Sequence, residues 1–434
     1  NYDIVINMKI KYFTNAMVLI NGKNTKVLSD PWITFDNKSN TNYFNFPENK
    51  YTKQQIKKIK PDYIYISHSH PDHYDLDTLN LFGKKIKIII ANFENNYFEK
   101  ILKRKGFKNV IVAKEDGKIR LNKNDFAYIK PAETTDELDS ISFFNIDGIN
   151  IINLNDNIEN YDQTNFIKKK FGNIDIALLP YCGFGVYPLR YSNLSNKQKF
   201  LAAENKKQQT RENLLKYVEI LKPKFVIPFA GEVILAGKIA KSFHKFSGIG
   251  SKTDAIKYVK KYYKDFSPVL MSPNCIFDFK TGKVKGKFQD TIFGNHKKYV
   301  DLISRKKNIY DDGGKFYVND NLQISLQMLM KKAIKNINFQ RKKREIEIPN
   351  TIPYLSTGNG QVFKLDLKKE DVKILNQKQI TDSRYEIFIM QYSLMLGLLT
   401  KHFVFSNVVE DIGYYRSPNR YDERLHFLMN FMSV

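Results

Sequence analysis

Cysteine is scarce: Cys182 and Cys275 are the only two in 434 residues. Neither sits in a C-x-x-C or C-x-H arrangement. That excludes a zinc ribbon, an iron–sulfur cluster and a disulfide framework built from this sequence. Both read as buried free thiols in a reducing cytoplasm. Long apolar runs are missing too. A stretch such as Leu394 to Leu399 is far too short to span a bilayer, so no membrane association is expected. No secretory signal opens the chain. Asn1 is not an initiator methionine, which implies that something upstream was removed.

Acidic residues are outnumbered, 45 Asp and Glu against 70 Lys and Arg, for a formal charge of +25. Such a balance suits nucleic acid or an anionic small substrate. The excess is mostly Lys beside abundant Asn, Ile, Tyr and Phe, a mixture that an AT-rich genome produces whatever the function. The longest basic run is Arg341-Lys342-Lys343-Arg344, and no RNA-binding signature accompanies it. Nucleic acid is therefore disfavoured, and an anionic small molecule is the expected partner.

Hydrophobic residues make up 42% of the chain, enough for two or three globular domains. Lys9 to Ile20 and Lys26 to Leu28 read as strands around the turn Asn21-Gly22-Lys23-Asn24. A short helix over Lys53 to Ile59 feeds the apolar strand before His68. A strand over Lys85 to Ala91, a helix over Asn95 to Lys105 and a strand over Asn109 to Ala113 follow. Strands dominate from Lys118 to Ala132. A hairpin runs Ser140 to Asn145, then Ile149 to Leu154, and ends at Asn155-Asp156. A helix over Gln163 to Lys170 and a strand over Ile174 to Leu179 lead into a Gly- and aromatic-rich loop, Tyr181 to Tyr191. A long helix over Asn196 to Leu221 precedes a strand over Phe225 to Ile227 and the turn Pro228-Phe229-Ala230-Gly231. The character changes beyond residue 300. Leu322 to Asn338 has helical periodicity, Tyr354 to Leu367 holds a Gly-Asn-Gly turn, and Glu386 to Leu399 and Asp422 to Met432 read as buried helices. Two domains are expected, 1–300 and 301–434.

Histidine is rare, yet His68, His70 and His73 hold three of the chain's seven. With Asp72 they spell HSHPDH after the apolar run Tyr63 to Ile66. Three imidazoles and a carboxylate make a poor core and a good metal site. His68 and His70 can point at one ion, and Asp72 and His73, beyond Pro71, at a second. The plain alternative is a polar turn rich in His. The remaining histidines, His244, His296, His402 and His426, have no ligand spacing, and His244 is the one of interest because it follows the Pro228 turn.

Strand, H-x-H-x-D-H, then helix resembles the metallo-β-lactamase superfamily. The resemblance implies an α/β fold, an αββα four-layer sandwich over 1–300, followed by a C-terminal α+β region. It implies that Asp156 is a metal ligand and that Asp30 hydrogen-bonds the histidine loop. Superfamily hydrolases carry two further histidines. Here Glu133 to Asp139 stands in place of one and Ala230 in place of the other. Fewer imidazoles and more carboxylates favour iron or manganese over zinc. Asp139 is expected at the site, as a ligand or as the partner of a ligating His; Glu133 reads as a surface residue.

The departures resemble one branch, the CMP-N-acetylneuraminate hydroxylase family. The likeness rests on Ile66 to His73 with Thr78-Leu79, Asp139-Ser140, Ile151 to Asp156, Gly183 to Pro188, Pro228 to Gly231, Ser383-Arg384 and Arg416 to Tyr421. It implies a nonheme iron oxygenase, with one or two ions, acting on a sugar nucleotide. Tyr187 and Arg190 would then contact substrate, Arg190 through a bidentate guanidinium–phosphate pair. Members carry a Rieske domain whose C-x-H and C-x-x-H ligands are absent from this sequence. Either that domain was removed, or an external electron donor serves, or the reaction needs none. The competing reading is a hydrolase of a phosphodiester or amide using a metal-bound hydroxide.

Overall fold

The computed structural model describes residues 8–39, 42–93, 97–132, 139–183, 185–306, 320–400, 405, 409, 412–418 and 422–433. Glu133, His402 and the stretch 419–421 fall outside them. Contacts divide the chain into two compact units, 1–184 with 202–305, and 185–201 with 306–434. The second unit thus claims Tyr187 and Arg190.

The first unit is built on two sheets. Eight strands form one, in the order Lys283–Lys285, Ile276–Asp278, Lys9–Thr14, Met17–Asn21, Lys26–Ser29, Tyr63–Tyr65, Lys87–Ile90 and Asn109–Val112. Seven form the other, in the order Ser267–Pro268, Phe225–Phe229, Ile176–Pro180, Ile149–Asn153, Ser140–Ile146, Phe126–Pro131 and Lys118–Arg120. Tyr63–Tyr65 lies parallel between two neighbours. Strands so placed are covered on both faces, which is why they read as continuous apolar runs. Ile64 and Ile88 from one sheet share a single buried cluster with Phe144, Ile151 and Ile176 from the other. Each such side chain contributes about 1.5–3 kcal/mol when removed from water. Helical Ile56, Leu79, Phe98 and Leu102 join the same cluster. The architecture is the α/β sandwich expected.

Two local readings need correction. Lys9 to Ile20 is not one strand. It is a tight hairpin, with Thr14 opposite Met17 and a bulge between Tyr12 and Thr14. Asn15 makes the turn at φ 44°, and an Asn in the left-handed region is the usual non-Gly solution. The second correction is Glu386 to Leu399, expected as one helix. Tyr385–Ile389 is a strand, and the helix covers only Tyr392–Leu399. β-branched and aromatic side chains at Ile387, Phe388 and Ile389 favour the pleat.

The second unit holds a five-stranded sheet, in the order Asp371–Asn376, Gln361–Asp366, Ile352–Ser356, Tyr385–Ile389 and Gly413–Ser417. Met330, Ile334 and Ile337 of the helix Asp320–Lys343 share its core with Leu355, Phe388 and Leu428. No helix among the described residues is long and apolar enough to cross a membrane. Surface lysines often lie over aromatic rings: Lys84 over Phe107 at 3.9 Å, Lys170 over Tyr128 at 4.5 Å and Lys260 over Phe266 at 4.0 Å.

Candidate metal centre

The histidine loop begins where the strand Tyr63–Tyr65 runs out. Ile66 N still donates to Ile89 O at 3.1 Å, and then the chain turns. His73 N and Tyr74 N both donate to His70 O, at 3.0 and 2.8 Å, closing a turn around Pro71 and Asp72. Proline suits that place because it has no N–H to leave unpaired. Asp75 ends the loop by capping the helix Leu76–Asn80, accepting from Thr78 N at 2.8 Å. Such a cap is worth about 1 kcal/mol and fixes where the loop must stop.

Asp30 ties the loop down from the next strand. It sits past Lys26–Ser29 at φ 41° and is wholly buried. Its Oδ1 accepts from Ser67 N at 2.8 Å and Ser67 Oγ at 3.0 Å. Its Oδ2 lies 3.3 Å from His73 Nδ1. That turns His73 Nε2 outward, where Asp156 Oδ2 and Asp72 Oδ2 stand at 3.5 and 3.6 Å. His68 is held the same way. Its Nδ1 meets Ser67 Oγ at 2.9 Å and Asp139 Oδ1 at 3.2 Å, while its Nε2 meets His70 Nδ1 at 2.8 Å. A carboxylate behind a ligating imidazole fixes its orientation and raises its basicity.

The two acidic residues come from the other sheet. Asp139 immediately precedes Ser140–Ile146, and its Oδ1 accepts from Ser140 N at 2.6 Å. Asp156 follows Ile149–Asn153 after Asn155, which turns the chain at φ 52°. His68, His73 and Asp156 offer ligand atoms all within 4.8 Å of one another. His68, His70, Asp72, His73, Asp139 and Asp156 are thus brought to one place. Tyr187 and Arg190 lie in the second unit. Alternatives among the other histidines are used otherwise: His244 stacks on Phe293 at 5.0 Å.

Sequence reasoning missed the floor beneath these ligands. Ser140 Oγ donates to Ser67 O at 2.6 Å and contacts the Tyr65 hydroxyl at 2.8 Å. Asn155 Nδ2 donates to Ser140 O at 2.8 Å. The Ser140 contacts with Ser67 and Tyr65 stitch the two sheets together beside the site. Only the small polar residues flanking the ligands hinted at them.

Electrostatics separate the ligands. Burial opposes a charge on His73, but Asp156 and Asp72 outweigh it and hold its pKa well above the ordinary value. Burial alone would raise Asp156, yet His73 and His68 hold it well below the usual range. For His68, burial lowers and Asp139 raises, and the net shift is upward. Burial pushes Asp139 up to about 6, against the pull of His68. Burial, reinforced by His68, presses His70 down to about 3, so that ring is neutral and keeps a lone pair to donate.

Buried atoms without a hydrogen-bond partner decide whether a cation fits. His70 Nε2, His73 Nε2 and Asp156 Oδ1 are three of them. A buried polar atom left so is costly. A divalent ion coordinated by His and carboxylate would satisfy atoms of this kind, and these donor types suit iron, manganese or zinc.

A family model described as a β-lactamase superfamily domain matches residues 9–230. A Mycobacterium tuberculosis protein provisionally named a Rieske 2Fe-2S iron-sulfur protein is 24% identical over 233 residues, 52% of this chain and 44% of that one. The chain therefore spans less than half the length of such relatives. A metal-dependent hydrolase of Ligilactobacillus salivarius is 32% identical over 101 residues, 23% of this chain and 40% of the relative. Among solved structures, CmlA, a diiron β-hydroxylase from Streptomyces venezuelae, is similar with a TM-score of 0.42 and 13% identity, covering 61% of this chain and 53% of that one.

Proposed function

This chain belongs to the β-lactamase superfamily, and from that membership we propose that it is a metal-dependent oxygenase of the hydroxylase type. Its substrate is an anionic small molecule such as a sugar nucleotide. The observation that carries the reading is the donor set. Three imidazoles from one loop are joined by Asp72, Asp139 and Asp156, while the turn after Phe225–Phe229 offers Ala230, whose side chain cannot ligate. Carboxylate-rich sites suit iron or manganese better than zinc.

His68, His70, Asp72, His73 and Asp156 would hold one or two ions. Iron, when bound, supplies dioxygen activation. The balance is one C–H bond, one dioxygen, two electrons and two protons giving one alcohol and one water. The electrons require a donor; similarity to a protein named for a Rieske cluster supports an iron–sulfur partner. The chain's own residues do the rest. Asp139 and Asp30 orient the two rings, and His70 stays neutral and ready to coordinate.

The test is metal replacement. Metal-free protein reloaded with ferrous iron should consume oxygen when given a chemical reductant and a CMP-linked sialic acid. Reloading with zinc should not support this. Turnover of a model phosphodiester by the zinc form, without oxygen uptake by the iron form, would establish the hydrolase instead. Similarity to the Ligilactobacillus hydrolase keeps that second reading in view.

A further inference from the structure

We propose that Asn15 is a positioning residue for the metal centre, presenting Asp72 to the ion that His73 faces. The proposal rests on the metal-site reading above. Asn15 sits at the tip of the first hairpin, wholly buried, with its backbone left-handed. Its Nδ2 donates to Asp72 O at 3.2 Å and to Asp72 Oδ2 at 3.1 Å. Asp72 Oδ2 is also the atom that approaches His73 Nε2. One amide therefore fixes both the main chain and the carboxylate of the same residue.

The bracket is itself held from behind. Asn15 Oδ1 accepts from Glu232 N at 2.9 Å. That bond settles which end of the amide carries nitrogen, so Nδ2 must face Asp72. Asn15 O accepts from the Tyr12 hydroxyl at 3.0 Å. Glu232 is fixed in turn by a buried ion pair with Lys252 at 2.6 Å, and Lys252 donates to Met271 O at 2.7 Å. The turn leading to Glu232 is closely packed. Ala230 and Gly231 are both left-handed, and a Cβ on Gly231 would fall 2.7 Å from Cys182 O. The turn after Phe225–Phe229 thus serves the site through the backbone N–H of Glu232.

Two variants separate positioning from folding. Asn15→Gly keeps the left-handed turn and removes the amide. Asn15→Asp keeps the shape and sets a carboxylate against Asp72. Each is titrated with cobalt(II), with affinity read by competition against a chelator and geometry by the d–d absorption, while thermal melting reports the fold. Both variants should fold, bind cobalt about 10-fold to 100-fold more weakly, and show altered d–d bands. Asn15→Asp should be the weaker of the two in fixing the wild-type spectrum. Wild-type affinity and spectrum in Asn15→Gly overturn the proposal. Failure of both variants to fold also overturns it, since Asn15 is then a structural turn residue. If the wild-type protein binds no cobalt, the metal-site reading itself fails, which is a different result.

Discussion

Two buried clusters in this molecule use the same side-chain types to opposite ends. In the second unit, Glu386 Oε1 accepts from the Tyr191 hydroxyl at 2.9 Å, from Arg416 Nη2 at 3.0 Å and from His426 Nε2 at 3.0 Å. Burial would raise the Glu386 pKa, but His426 and Arg416 hold it below the ordinary range. Anion meets cation at one carboxylate oxygen, Glu386 Oε1, while Glu386 Oε2 makes no hydrogen bond. In the first unit, three imidazoles crowd together, with the His68 and His73 ring centres 4.1 Å apart. Their carboxylates stand partly behind them and partly across from them. His70 Nε2, His73 Nε2 and Asp156 Oδ1 stay without hydrogen bonds. A cluster whose carboxylate is paired with a guanidinium and an imidazole holds a fold; one whose imidazoles and carboxylate converge within 4.8 Å of one another is shaped for something else.

Breaking each cluster should therefore cost different things. The largest effect is expected from Glu386→Ala. It strands a buried guanidinium and should remove about 3–5 kcal/mol of stability, seen as a lower midpoint in denaturant unfolding. A loss below about 1 kcal/mol would contradict the structural role assigned to the cluster. His73→Ala should instead weaken metal binding by about 100-fold or more. Metal-free stability should fall as well, since Asp30 Oδ2 and Ser67 Oγ lose the His73 Nδ1 that they face at 3.3 Å, so the loss of affinity is the distinguishing readout. An equal loss of stability and no loss of affinity would reverse the comparison.

Asp139→Asn keeps the volume and removes the charge behind His68. It should weaken metal binding by about 10-fold to 100-fold, measured by chelator competition. Wild-type affinity would reduce Asp139 to a loop residue. The smallest effect concerns protons. His73 and His68 carry raised pKa values in the metal-free protein. Below those values each ring is protonated, and a metal must expel that proton. Affinity should therefore rise with pH, by up to about tenfold per pH unit for each proton released, and level off above the raised values. His70, pressed down to about 3, releases none across this range. Affinity independent of pH would mean that the ligands are not those named.

The ligands were legible because one loop carries most of them, and because Asp156 ends an obvious strand. The fold was legible through the alternation of short apolar runs with turns; the helix Asn196–Leu221 was read to its ends. What stayed hidden were residues whose role lies in a distant partner. Asn15 was concealed inside an apolar run that reads as one strand, since nothing local marks Asn15-Ala16 as a turn. Tyr65 and Ser140 look like ordinary strand residues; their bond joins two sheets across 75 positions of sequence. Glu386 was misassigned because a strand and a helix abut with only two residues between them.

The lysines that lie over aromatic rings give the large positive charge a domestic meaning. Lys84, Lys170 and Lys260 each cover a ring that their own domain has to shield. A chemical reagent would feel the distinction. Reductive methylation leaves the cation and its ring contact in place, and takes away only N–H donors such as those Lys260 directs to Lys264 O and Phe266 O. Acetylation erases the charge and the attraction together, about 0.5–1 kcal/mol at each exposed site, and turns these lids into loose ends. Protein chemistry on this molecule should therefore alkylate its amines and leave acylating reagents aside.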